Sequence, residues 1–153
     1  MHPLSLLSYV TILGSVVAAP AGGIDIDTTS LVKRAESIHI VWCTPLPGEG
    51  SNSIPPFSAA VYCPNDSACQ LPTSNNVCKI DPSQLGVGGP FSCKFPSGVT
   101  FTWNLSYEAG TAPKYSQVGG GTNGFKKFTG YKDDGHSFCS IGSYSCVTNY
   151  YFL

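Results

Sequence analysis

The densest set of chemically able side chains is KKFTGYKDDGHSFC, residues 126–139, in which Asp133 and Asp134 closely precede His136. A carboxylate beside an imidazole supplies the base, and the acid that orients it, of nucleophilic hydrolysis. The third group is missing, because none of the many serines stands in a G-x-S-x-G elbow that would present it as a nucleophile. The structural reading of the same residues is a turn, with Asp-Asp-Gly reversing the chain and His136 starting the next strand. Glu49, in the loop PLPGEGSNS, and Glu108, at the end of a strand, add carboxylates, but no spacing brings them together as a glycosidase pair. No catalytic residue is therefore assigned. A small hydrolase using His136 with Asp133, Glu108 or Glu49 stands as the alternative to a binding function.

Seven cysteines, at 43, 63, 69, 78, 93, 139 and 146, dominate the rest of the reactive chemistry. An odd number implies three bridges with one spare thiol, or a disulfide-linked dimer through the spare. Short-range spacing suggests that Cys139 and Cys146 bridge a turn around Gly142, and that Cys63, Cys69 and Cys78 build a compact disulfide region. CxxC is absent and only His39 and His136 lie beyond the first segment, so no metal and no cofactor is expected. Asn65-Asp66-Ser67 and Asn104-Leu105-Ser106 are N-glycosylation sequons.

Aromatic residues among lysines offer a different chemistry. Tyr115, Phe125, Lys126, Lys127, Tyr131 and Lys132 are candidate binding residues, since ring faces can stack on sugars or anchor a protein partner while the lysines add local positive charge. Net charge limits the partner. Beyond residue 34 there are six lysines (79, 94, 114, 126, 127, 132) against seven acids (Glu36, Glu49, Asp66, Asp81, Glu108, Asp133, Asp134) and no arginine. That is poor material for holding phosphates, so neither nucleic-acid binding nor ribonuclease action by His39 and His136 is expected.

The elements that must position these groups are mainly strands. SIHIVWC, FSAAVYC and PFSCKF are short apolar runs between Pro, Gly, Ser and Asn punctuation. In VTFTWNLSY, Val99, Phe101, Trp103, Leu105 and Tyr107 alternate with Thr100, Thr102, Asn104 and Ser106, which places the first set on the core face and Asn104 on the wet face. EAGTAPKYSQVGGGTNG reads as a flexible connection or a loop-rich hairpin. The final segment puts Tyr144, Cys146, Thr148, Tyr150 and Phe152 on one face of a last strand. A short helical turn at DPSQLG, with Asp81 as its cap and Pro82 at its first position, is the one place for helix. The expected fold is mainly β, a small disulfide-stabilised antiparallel β-sandwich or barrel.

The opening segment sets the compartment. MHPLSLLSYVTILGSVVAA combines an apolar stretch, too short and polar-broken for a membrane span, with small residues at Val17 and Ala19. Residues 1–19 are expected to be a signal peptide, and the bland 20–34 segment a pro-segment ending at the dibasic Lys33-Arg34 processing site. Removing both leaves 153 less 34, or 119 residues, as a single domain, 35–153. The leader, LVKR at 31–34 and the downstream cysteines together resemble small cysteine-rich secreted fungal proteins with kexin-type processing, a broad effector-like or killer-toxin-like class. That resemblance implies a secreted, extracellular protein that binds a host or neighbouring-cell surface protein or glycan, with no transmembrane span. A cell-wall or matrix structural role is the further alternative.

Overall fold

The computed structural model describes residues 36–48, 54–65, 72–81 and 87–153. The 1–19 and 20–34 segments, Lys33-Arg34, Glu49, Cys69 and the turn expected after Asp81 lie outside the described residues.

Nine strands follow one another: β1 Ser37–Pro45, β2 Phe57–Cys63, β3 Val77–Ile80, β4 Gly88–Lys94, β5 Thr100–Leu105, β6 Gln117–Thr122, β7 Lys127–Lys132, β8 Ser137–Ile141 and β9 Tyr144–Phe152. All pairings are antiparallel. Neighbours run β3-β2-β1-β9-β7-β6-β5-β4, with β8 also paired to β9. Among the described residues there is no α-helix, only a 3-10 turn at Ser74–Asn76. The sheet curls into a nearly closed barrel, and the Cys78–Cys93 disulfide ties its two edge strands, β3 and β4, to one another.

The barrel interior holds the larger core, built from Ile38, Ile40, Phe101, Trp103, Leu105, Phe128, Tyr150 and Phe152 among others. Phe101 is its hub, fully buried with the Trp103, Phe128 and Phe152 rings 5.6, 5.7 and 5.2 Å away. Alternation along β5 delivers Phe101, Trp103 and Leu105 inward and leaves Asn104 exposed, as the period-two pattern predicts. Tyr107 departs from that pattern, since the strand ends at Leu105 and the ring stands 86% exposed on the following turn.

A second core lies on the outer side of β1, β2, β8 and β9: Val41, Cys43, Ala59, Val61, Cys63, Cys139 and Cys146, with Phe138 packed against it. β1 and β2 are thus buried on both faces. The register between β1 and β9 slips after Ile40, where Ile40 faces Tyr150 but Val41 faces Thr148. The extra residue, Asn149, is a bulge, and a bulge reverses which side the following residues face. Tyr144 and Cys146 therefore point to the outer core while Tyr150 and Phe152 point into the barrel, so the single face expected for the five alternating residues does not exist.

Two other expectations need correction. QVGGGT is a central strand, and two of its glycines leave no room for a side chain: a Cβ on Gly121 would lie 2.5 Å from the Phe101 ring, and one on Gly119 would run into Asn104 O. Cys146 bridges Cys43, its cross-strand partner, and not Cys139. Cys78 bridges Cys93, and Cys63 is disulfide-bonded to a partner outside the described residues. Among the described residues Cys139 is the free thiol, buried, its pKa pushed up to about 11 by desolvation.

Candidate functional site

β7 and β8 pair with the same edge of β9, so the Asp133–His136 segment between them causes no reversal of the chain. It is a loop thrown out of one long interrupted strand, anchored where Asp133 N–H donates to Asn149 O (2.9 Å) and Thr148 N–H donates to His136 O (3.2 Å). Its sequence dictates this local shape. Asp133 Oδ1 accepts from Asp134 N–H at 2.7 Å, Asp134 Oδ1 accepts from His136 N–H at 3.0 Å, and Gly135 supplies a φ of +80° that L side chains rarely adopt.

The loop gathers both aspartates onto one imidazole nitrogen. His136 Nδ1–H donates to Asp133 Oδ1 (2.9 Å) and Asp134 Oδ1 (2.8 Å), while Tyr115 O–H donates to Asp134 Oδ2 at 2.8 Å. The Asp134 hydrogen bond raises the His136 pKa against the opposing effect of burial. Asp134, receiving Tyr115 and His136, is held well below the ordinary carboxylate range. Asp133 is pushed upward, chiefly because it is buried. Tyr115 is raised in turn by donating to a carboxylate.

This geometry contains an acid-oriented imidazole. Its hydrogen bonds are to the two carboxylates alone among the described residues, so no serine, threonine or cysteine is poised as a nucleophile. Glu108 sits exposed in the turn after β5 and takes no part in the cluster. Asp133, Asp134 and His136 also offer three donor atoms within 4.8 Å, but a cation there would have to displace the proton they share. His39 is buried and stacks on Phe138 at 4.1 Å, and His136 meets the same Phe138 edge-on at 6.3 Å.

Cross-strand pairing makes a row of rings beside the loop. Tyr131 of β7 faces Tyr151 of β9, which faces His39 of β1, and their rings follow at 5.3 and 6.2 Å before Phe138 closes the row. Tyr131, Tyr151 and Phe138 are half-buried, and Tyr115 remains 59% exposed although its hydroxyl is fixed.

The six candidate binding residues are distributed around this arrangement. Tyr115 and Tyr131 belong to the loop end, whereas Phe125, 89% exposed, tips the β6–β7 hairpin, which the Asn123 side chain fixes by accepting from the Phe125 and Lys126 N–H groups. Lys127 borders a groove on the outer face. Lys126 lies over Phe128 and 3.7 Å from Glu36, and Lys132 lies over Tyr150, so these two cations are engaged at the barrel rims. The part invisible to composition was Phe138, whose place in the row depends on strand register.

The outer surface of β4–β7 is different in kind. Its side chains are mostly small and polar, among them Ser92, Thr102, Asn104, Thr122 and Thr129, with Gly120 between Asn104 and Thr129 in register and Lys94 and Lys127 at its margin. Two open grooves, of about 510 and 740 Å³, share Gly89 and Asn104. The chain matches no protein-family model, no curated protein and no solved structure.

Proposed function

We propose that this is a secreted protein that acts by binding a surface component, protein or glycan, of a host or neighbouring cell. The observation that carries the reading is the row of partly exposed rings Tyr131, Tyr151 and Phe138 beside a hydrogen-bonded loop that also holds the hydroxyl of the exposed Tyr115. Preorganised aromatics bind at low entropic cost, and their hydroxyl edges serve either partner class. The leader-like first segment and the disulfides agree with an oxidising, extracellular setting. Retention of the secreted protein on intact cells tests the reading. Tyr115→Ala with Tyr131→Ala is expected to lower retention roughly tenfold, as loss of about 1.4 kcal/mol requires; undiminished retention would remove the ring row from the function.

A hydrolase is the second reading, favoured by the 2.9 Å His136–Asp133 contact. It predicts turnover of an ester or glycoside panel that His136→Ala abolishes; a panel untouched by the wild-type protein argues for binding alone.

A further inference from the structure

The ring row leaves both sequons unused, and the one at Asn104 lies on a described surface. Asn104 is exposed near the C-terminal end of β5, flanked by buried Trp103 and Leu105, and its side-chain amide has no hydrogen-bond partner among the described residues. It also stands where the two outer grooves join. Cross-strand to it is Gly120, and Gly89 and Gly119 complete a floor without side chains. Thr102 and Thr122 border one groove and Gln117 the other. At the far end of the second groove the Tyr107 ring lies over Gly88, 3.8 Å from where a Cβ would stand.

We infer that Asn104 carries an N-linked glycan whose first sugars lie along this glycine-floored groove and end against Tyr107. The chemistry matches at each point. Backbone without side chains admits a sugar ring against the sheet, hydroxyl and amide groups at the borders answer its hydroxyls, and the nearly fully exposed Tyr107 offers a ring face to its C–H face. Among the described residues no carboxylate lines either groove, and Lys127 is the one charged side chain there. The modification requires the secretory pathway and so rests on the extracellular reading. In the transfer, the Asn104 amide nitrogen attacks the anomeric carbon of a lipid-diphosphate-linked oligosaccharide. The C–N bond forms, the C–O bond to the diphosphate breaks, the lipid diphosphate leaves, and the amide nitrogen gives up one proton.

The test is to express the full chain with its own leader in a eukaryotic secretion host and map glycopeptides of the product by mass spectrometry. The expected result is a glycan on Asn104, absent from Asn104→Gln and Ser106→Ala. Its enzymatic release from native protein should be roughly tenfold slower than from denatured protein, the equivalent of about 1.4 kcal/mol of glycan–groove contact. Tyr107→Ala, a change at an exposed side chain, should bring the native rate towards the denatured one. Secreted protein with bare Asn104 overturns the inference and leaves the extracellular reading standing, whereas protein held inside the cells counts against both. Equal release rates from native and denatured protein overturn the groove contact.

Discussion

The two sides of this barrel solve opposite problems. On the β1–β2–β9–β8 side β1 and β2 are buried on two faces, with a disulfide between adjacent strands and a free thiol sealed beside it. On the β4–β7 side one face carries the aromatic interior and the other carries Ser, Thr, Asn and Gly open to solvent. One side is where stability is concentrated, and the other has surface free for chemistry that folding does not require.

The largest effects should come from the closed side. Removing Cys43–Cys146 by paired serines frees a loop of sequence separation 103 and is expected to cost about 5 kcal/mol, against about 3 kcal/mol for Cys78–Cys93 with its separation of 15. Urea midpoints of the two double variants measure the gap; equal losses would show that strand position outweighs loop length.

Next, Gly121 and Gly120 put the two faces of one strand side by side. Gly121→Ala drives a Cβ towards the Phe101 ring and should destabilise by about 1–3 kcal/mol. Gly120→Ala points outward, with Phe128 O the nearest atom at 3.3 Å, so that the backbone must give by a few tenths of an ångström, and should cost less than Gly121→Ala, about 1 kcal/mol or below. A Gly120 cost as large as that of Gly121 would mean that the open face is also under packing constraint.

The smallest effect is at the loop where the sides meet. His136 has a raised folded pKa, so its contribution is complete below the ordinary value of 6.5 and is lost as pH rises through the folded one. Asp133, raised by burial, loses its contribution in the same direction, while Asp134, held low, loses its own only in strong acid. Because the ring is half exposed, the Tm difference between pH 6 and pH 8 should be on the order of 1 °C, and His136→Asn should shrink it. A Tm that rises over that interval, reversed in the variant, would contradict the sign.

Legibility followed the same divide. β5 was readable because one wet face and one dry face produce alternation, and Asn104 fell where that alternation put it. β9 was misread because its buried residues move from one face to the other: a bulge at Asn149 changes the facing without changing the apolar pattern. Glycines hid β6, since a strand that must leave room for Phe101 shows no side-chain period. The carboxylate–imidazole cluster was legible because its members lie within four residues, although its shape as an outward loop and not a reversal depends on β9. Disulfide pairing and the ring row needed register between distant strands, which spacing along the chain does not carry.

The bond between β3 and β4 gives the barrel a parting line. Around the rest of the circumference strands are held by backbone ladders that no reductant touches; here closure depends on the oxidation state of Cys78 and Cys93. Reduced, the sheet has two bare edges whose unpaired N–H and C=O groups can template another strand. The compartment would then decide between a closed molecule and an associating one, a difference that light scattering before and after a thiol reductant reads directly.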